Sequence, residues 1–292
     1  MKPFIPRLHL FEIDDQAWFP PVLRRRVQDT LATTWNMSLP IVQAISPARM
    51  VARLLIRELG SKLPQYRFVD FCAGAGGPTP TIEKEINGHL TRLGEEPVDF
   101  VLTDIHPNVP SWQRFAGGNP RISWVDEPVD ASRAPSQLTT KKAGDKKLMR
   151  LFHLAFHHFD DPLAKDILKN TVETSEGFAI FELQDRSFAS FIADTLLPIG
   201  VMLASPFYAL KWRSPATFIF TWIIPILPFV LVFDGYVSSL RTREPEEVEA
   251  LLRSCGADTS EWEMKSGRDI HLWPVGYVNW IVCRPIDRED RQ

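Results

Sequence analysis

The stretch FVDFCAGAGGPTPT, residues 68–81, decides the fold of this chain. Its first part, FVDF, is apolar apart from Asp70, which is typical of a strand buried on both faces inside a parallel sheet. Gly74, Gly76 and Gly77 follow, and because glycine has no Cβ they let a ligand approach the backbone closely. The stretch therefore predicts a buried strand that carries an acid and breaks into a tight turn.

A helix is expected directly after the turn, because Pro78 is tolerated in the first turn of a helix. A strand, a glycine turn and a helix start together form a nucleotide-type site at the carboxyl edge of a parallel sheet. A glycine turn that merely connects two elements has the same local sequence. This stretch alone leaves both interpretations open.

Composition limits the remaining possibilities. The 292 residues are 45% hydrophobic and 24% charged, which fits one large domain or one domain with an insertion. The formal net charge of −3 gives no global basic field, so we expect no nucleic-acid partner. Three scattered cysteines make neither a disulfide framework nor a zinc site and indicate a reducing compartment. The amino terminus has no long apolar run, so a secretory signal is not expected and a cytoplasmic location is predicted.

Residues 1–65 are predicted to form an N-terminal helical cap. Residues 18–31 carry apolar side chains every three or four positions, interrupted by the arginines at 24–26. A second helix is expected over about residues 47–59, ending at Gly60. The arginines could grip an anion or a membrane surface, although so short a charge run is more often a solvated helix face.

Two more apolar runs, each a predicted strand, are followed by aspartates. Residues 98–102 are followed by Asp104, and a short third strand at 121–125 is followed by a loop that contains Asp130. In a nucleoside site an acid at a strand end accepts hydrogen bonds from the ribose hydroxyls, whereas a helix cap or an Asx turn is the plain alternative for Asp104. Asp130 could contact an adenine amino group, or it could be a solvated acid of the loop.

A fourth strand is predicted at residues 148–154 and a fifth at 178–181, with Asp185 after it. His153 and His157 have the four-residue spacing of a helical metal pair. A strand end does not keep that spacing, and no Glu or Cys completes a set nearby, so no metal site is predicted. The order of strands and helices predicts an open doubly wound α/β sheet.

Several segments, in order along the chain, resemble the motifs of class I S-adenosylmethionine-dependent methyltransferases. They are VDFCAGAGG at 69–77, LTDIHPN at 102–108, EPVDA at 127–131, LAFHHFDDP at 154–162, and a closing set of REPEEVEALLRSCGA at 243–257, SEWEMKSG and GYVNWIVCRP. Each motif is weak alone, and their order makes the resemblance specific. It covers most of the chain outside residues 1–65 and 186–242.

The resemblance implies an α/β fold: a Rossmann-like, doubly wound, mostly parallel seven-stranded sheet with N-terminal helices and an apolar helical insertion. The methyltransferase domain would span residues 66–292, interrupted by the insertion at about 186–242. S-adenosyl-L-methionine is the implied cofactor. Its implied binding residues are Asp70, Cys72, Ala73, Gly74, Gly76, Asp104, Ile105, Asp130 and Ala131, with the loop on the methionine part, Asp104 on the ribose and Asp130 on the adenine.

For the implied reaction the protein must place an acceptor in line with the methyl group and, where the acceptor is protonated, remove a proton from it. Candidate bases are His157, His158 and Asp185, with Asp234 or Tyr236 from the insertion. His157 is preferred because an imidazole titrates near neutrality. A structural histidine is the equal alternative.

The insertion is the part expected to decide the substrate. Residues 188–210 contain one charge, Asp194, and residues 214–233 contain none. Each run is long enough to cross a bilayer, but prolines interrupt both and remove backbone donors.

Three interpretations of the insertion remain. It forms an apolar cover over the acceptor pocket, in part a homodimer surface; or it forms a re-entrant or interfacial hairpin that makes peripheral membrane contact through 188–233; or it spans the membrane. The second would place Trp212 and Trp222 at the level of the headgroups.

The sequence therefore predicts methyl transfer from S-adenosyl-L-methionine to a small or lipid-like hydrophobic acceptor. The alternative is a cofactor-binding or scaffold protein of this fold that has lost methyl transfer, or an enzyme that catalyses a different reaction on it. Whether oxygen, nitrogen or carbon is methylated is left open.

Overall fold

A seven-stranded sheet forms the centre of the computed structural model, which describes residues 5–39, 41–139, 145–211 and 215–286. The strands are β1 (Tyr66–Phe71), β2 (Phe100–Thr103), β3 (Ile122–Trp124), β4 (Lys147–His153), β5 (Phe178–Glu182), β6 (Trp262–Leu272) and β7 (Gly276–Pro285). Their order across the sheet is β3-β2-β1-β4-β5-β7-β6.

Strands β1 to β5 are parallel, and β7 is antiparallel to both of its neighbours, β5 and β6. From β1 the strands are added outward on one side as β2 and β3, and then on the other side as β4 and β5, so the switch point lies between β1 and β4. These two strands pair in parallel, with Phe71 opposite Phe152. Ligands of such sheets bind outside the carboxyl ends of the strands at this switch point. The predicted α/β fold with seven strands is confirmed, and the sheet is mixed because its last two strands are antiparallel.

Ten helices of the described residues surround the sheet. They are α1 (Pro21–Asn36), α2 (Pro47–Leu59), α3 (Thr79–Leu93), α4 (Val109–Ala116), α5 (Ser136–Thr139), α6 (Asp161–Thr174), α7 (Phe188–Lys211), α8 (Pro215–Phe218), α9 (Ile226–Arg241) and α10 (Pro245–Arg253). Single 3-10 turns at Ala131–Arg133 and Phe156–His158 follow β3 and β4.

The apolar runs are buried because helices cover both faces of the sheet. Phe68 points to the face covered by α2 and α3, where its ring stacks on Phe100 with 4.8 Å between centroids. Val69 and Phe71 point to the other face, which α6 and α10 cover. This two-sided burial explains why the strands read as continuous rather than alternating apolar runs.

The insertion folds as α7, α8, a π-helical turn at Ile219–Ile223, and α9. Its α9 forms a separate small core with α1, in which Leu23 and Val27 meet Leu227 and Leu231. By length and composition alone α7 could cross a membrane, and the segments Pro215–Ile223 and Ile226–Arg241, bent by 71°, would make a second span if counted as one. Trp212, expected at the headgroup level, lies outside the described residues.

We expect Gly267→Ala to destabilise the β6–β7 hairpin. A Cβ at Gly267 would lie 2.4 Å from the ring of Trp280, whose Nε1 is held by the Asp269 carboxylate at 2.8 Å. Such overpacking costs about 1–3 kcal/mol. The free energy of unfolding in urea measures it, and Gly88→Ala in α3, whose Cβ would meet nothing closer than 3.7 Å, should instead stabilise the protein by about 1 kcal/mol or less. Equal stability of the Gly267 variant and the wild type would contradict the packing described here.

Candidate functional site

The glycine turn that follows β1 is built from left-handed residues. Cys72 has φ 65°, Gly74 53°, Gly76 95° and Gly77 45°. Cys72, the one non-glycine among them, holds this conformation at a cost of about 1–3 kcal/mol. The turn thereby reverses direction within a few residues and leaves its backbone at the carboxyl edge of the sheet.

Asp104, just after β2, is tied directly to this turn. Its Oδ2 accepts a hydrogen bond from the Gly74 N–H at 2.7 Å, and its Oδ1 accepts one from the His106 N–H at 2.7 Å. Burial raises the pKa of Asp104, and the two amide hydrogen bonds oppose that rise. The predicted ribose-binding acid and the predicted loop are thus brought together.

Helix α1 lies over the turn. Its Gln28 side chain is 3.7 Å from where a Cβ of Gly74 would be and accepts a hydrogen bond from Asn108 at 3.0 Å. Two helical turns later, Asn36 donates to the Gly77 carbonyl at 2.9 Å. Sequence reasoning missed both residues, although their spacing of eight places them on one helix face.

Asp70 is buried beneath the turn rather than exposed at it. Its Oδ2 accepts a hydrogen bond from the Thr79 hydroxyl at the start of α3, and its Oδ1 lies 3.2 Å from Nδ1 of His153. The His153 ring is stacked on Phe181 at 5.5 Å between centroids. Asp70 therefore holds the start of α3 through Thr79, and it lies next to the end of β4.

The other predicted cofactor residues lie around the same edge. Ala73 donates its N–H to the Thr103 carbonyl at 2.9 Å, and Ile105 is exposed. Asp130 is exposed and caps the turn that Ala131 begins, accepting from the Ser132 N–H at 2.8 Å. Burial raises the pKa of Cys72 well above its usual range, so its thiol is protonated.

A cavity of about 450 Å³ lies beside the turn. Its walls come from the inner faces of α1, α7 and α9, the turn between β6 and β7, and the residues just after β4 and β5. Most of the lining is apolar. Leu154 and His157, just after β4, line the cavity, and β4 pairs with β1, the strand that leads into the glycine turn.

Of the predicted bases, His157, His158 and Asp234 line the cavity. Glu182, the last residue of β5, accepts from the His157 backbone N–H at 3.2 Å and lies 2.9 Å from its Nδ1. A carboxylate can only accept, so this contact places the proton of a neutral imidazole on Nδ1 and leaves a lone pair on Nε2, which lies 3.8 Å from Oε1 of Glu12. The orienting role of Glu182 was not predicted.

A buried ion-pair cluster continues from His157 towards the amino terminus. Glu12 is 2.9 Å from Nδ1 of His158 and 3.2 Å from a guanidinium nitrogen of Arg241, which also contacts Asp15 at 2.9 Å. Burial acts against the charged forms, but the pairing lowers the pKa of Glu12 to about 2 and raises that of His158 well above its usual range. Glu12 is the site residue that sequence reasoning missed most completely.

Glu12, His157 and His158 also place possible metal-ligand atoms within 4.8 Å of one another. The Arg241 guanidinium already binds Glu12, and a metal cation would have to compete with it. We therefore assign these residues to the hydrogen-bonded cluster.

Three carboxyl groups of the otherwise apolar cavity have raised pKa values. Burial is the main cause for each of Asp14, Asp194 and Asp234, and it raises the pKa of Asp194 to about 7. Asp234 accepts from the backbone N–H groups of Ile13 and Asp14 at 2.6 and 3.1 Å. The amino-terminal segment thus closes the cavity against the insertion.

Two other candidate bases lie elsewhere. Asp185 accepts from Ser190 at 2.7 Å and from the Ser187 N–H at 2.9 Å, so it caps the start of α7 and does not line the cavity. The Tyr236 hydroxyl is 2.7 Å from that of Thr195, on a part of the insertion that also lies outside the cavity lining.

No family model matches this chain, and no curated protein matches it. Among solved structures it is similar to the SAM-dependent methyltransferase from Anabaena variabilis ATCC 29413, at 14% identity over 96% of this chain and 98% of that one, with a TM-score of 0.50. It also matches the trans-methyltransferase CalH (16% identity, 94% of this chain and 62% of that one, TM-score 0.48) and the plantazolicin methyltransferase BpumL (12%, 90% and 99%, 0.42), both in complex with SAH. At these identities the likeness concerns the fold alone: the chain has the fold of class I SAM-dependent methyltransferases.

We expect the stability of the protein to depend on Asp194. Its pKa rises from 3.8 to about 7 in the folded state, so between these values the folded protein holds a proton that the unfolded chain has lost. The contribution of Asp194 to the free energy of unfolding is then fully present below pH 4 and falls as the pH rises to 7, by up to about 4 kcal/mol. Asp194→Asn removes this loss, so the stability of the variant relative to wild type should increase with pH.

Urea unfolding across this pH range measures the difference. The matched control is Asp166→Asn, which changes an exposed acid on α6 and should follow the wild-type pH dependence. A constant difference between the Asp194 variant and wild type at all pH values would show that this carboxyl is ionised in the cavity.

Proposed function

We propose that this protein transfers a methyl group from S-adenosyl-L-methionine to a small or lipid-like hydrophobic acceptor held in the 450 Å³ cavity. The observation that carries the proposal is the joint position of three features at one edge of the sheet. These are the glycine turn with Asp104, the apolar cavity, and His157 oriented by Glu182. A transfer enzyme needs a cofactor site, an acceptor site and, for a protonated acceptor, a base next to both.

The residues around the turn suit such a cofactor chemically. The left-handed glycines leave backbone groups accessible, and Asp104 offers carboxylate lone pairs beyond the two amide hydrogen bonds that it accepts. Asp130 is exposed two strands away from β1, where an adenine amino group would be expected. When bound, S-adenosyl-L-methionine supplies a methyl group that its sulfonium has already activated.

Within the cavity, the chain's own residues would select and orient the acceptor. Apolar side chains of α1 and α7 exclude water from most of the cavity, which favours an acceptor that is largely hydrophobic. His157 is placed to take the proton from an acceptor hydroxyl or amine on its Nε2, while Glu182 holds the ring through Nδ1. The carboxyls of Asp14, Asp194 and Asp234, with their raised pKa values, can donate as well as accept hydrogen bonds.

We expect wild-type protein to bind S-adenosyl-L-methionine and Asp104→Ala to bind it about 10- to 100-fold more weakly. Losing one charge-assisted hydrogen bond costs about 1.5–3 kcal/mol, and each tenfold in affinity is about 1.4 kcal/mol. Titration calorimetry is the measurement. Asp99→Ala serves as control, because Asp99 is an exposed acid near the opposite end of β2, paired with Arg121 at 3.1 Å. Unchanged affinity of the Asp104 variant would mean that the ribose lies elsewhere.

We expect His157→Gln to lower kcat by about 10²–10⁴ while leaving the affinity for S-adenosyl-L-methionine unchanged, since a general base contributes about that much. Glu182→Gln should lower kcat less, because it removes the orienting carboxylate and keeps the imidazole. Activity is followed with labelled cofactor on an acceptor found by screening lipid extracts.

The control for the histidine is His89→Gln, a half-exposed histidine of α3. Full activity of the His157 variant would exclude it as the base. Cofactor binding without transfer to any acceptor would favour the alternative of a binding or scaffold protein that keeps this fold.

A further inference from the structure

The outer face of α7 carries a stripe of exposed apolar side chains. Its exposed large side chains recur at the three- and four-residue spacing of one helix face. They are Phe188, Ile199, Leu203, Phe207 and Leu210, with Leu203 73% and Leu210 81% exposed. Scattered apolar residues are ordinary on a protein surface, but a contiguous patch of large ones marks an interaction site.

The opposite face of the same helix lines the cavity. Leu197, Val201 and Ala204 of α7 face inward, between the positions of the outer stripe. Helix α7 is therefore a wall one helix thick that separates the acceptor cavity from the exterior and is apolar on both sides.

The apolar surface continues beyond α7. Ile223 and Ile224 at the bend of the insertion and Phe229 at the start of α9 are exposed. The amino-terminal segment adds exposed Phe11, whose ring lies 5.6 Å from that of Phe233. We call the α7 stripe together with these residues the outer face of the insertion.

The charged side chains that the insertion and the neighbouring end of α1 present outward are positive. The two acids of residues 188–241, Asp194 and Asp234, both line the cavity. The amino end of α1 lies beside α8, since Arg26 contacts the Thr217 hydroxyl at 3.1 Å, and the neighbouring Arg25 is exposed. Asp15, the exposed acid four residues after Phe11, is paired with Arg241 at 2.9 Å. An apolar surface with cations, on which the insertion itself carries no outward acid, is complementary to a membrane that contains anionic lipids.

We propose that the outer face of the insertion docks on a lipid bilayer with anionic headgroups, and that the acceptor is a lipid-like molecule that enters the cavity from that bilayer past α7. This rests on the proposed methyl transfer in the cavity and adds the source of its substrate. Helix α7 lies in the membrane plane rather than across it, because its inner face packs on α9 and carries Asp194 towards the cavity.

Flotation of the full-length protein with vesicles tests the docking. We expect it to float with vesicles of phosphatidylcholine and phosphatidylglycerol, less with phosphatidylcholine alone, and less at high salt because salt screens the arginines. Leu203→Glu combined with Phe207→Glu should abolish most of the flotation. The matched control is Leu93→Glu on α3, because Leu93 and Phe207 are both 63% exposed. Arg25→Glu, which leaves the stripe intact, should weaken flotation on the anionic vesicles only.

Calorimetry with S-adenosyl-L-methionine on the same proteins separates the two claims. Retained cofactor binding in a wild type that never floats, or flotation unaffected by the paired glutamates, overturns the docking and leaves methyl transfer standing. Absent cofactor binding in a protein that floats overturns the proposed function instead. Sedimentation that shows a wild-type dimer and a monomeric double variant, with no flotation of either, would assign the outer face to a second copy and overturn the bilayer proposal.

Discussion

The hydrogen bond between the Asp104 carboxylate and the Gly74 N–H is the interaction on which the site depends. It joins the turn after β1 to the end of β2, next to the β1–β4 pair at which the sheet reverses its direction of growth. With the turn fixed, α3 starts at Thr79 under Asp70, and α1 can lie across the turn through Gln28. The carboxyl edge of the sheet is thereby shaped before any ligand arrives, which lowers the ordering cost of binding.

Helix α1 connects the two halves of the site. One of its faces reaches the glycine turn through Gln28 and Asn36, while Thr30 and Thr34 line the cavity, and Leu23 and Val27 pack on α9. The glycine turn and the wall of the cavity are therefore held by the same helix.

The sequence was sufficient to predict the features that leave a local pattern of residues. Apolar runs ending at Asp70 and Asp104 predicted the strands and the turn between them, and α2 begins and ends where its proline and glycine predicted. The partners of His157 left no such pattern, because Glu12 and Glu182 reach it from segments far apart in the chain. Asp185 was a reasonable candidate by its place after β5, yet a hydroxyl five residues away satisfies it locally as a cap.

The cluster of Glu12, Asp15, His158 and Arg241 has a consequence for how the molecule is assembled. Arg241 contacts Asp15 across 226 residues of chain, so this ion pair cannot form until the end of α9 has been synthesised. Contacts of such separation form late, since the intervening loop must first be closed by other structure. We therefore expect the pairing of Glu12 and Asp15 with Arg241 to form late, so that this side of the cavity closes only after the sheet beside it is complete.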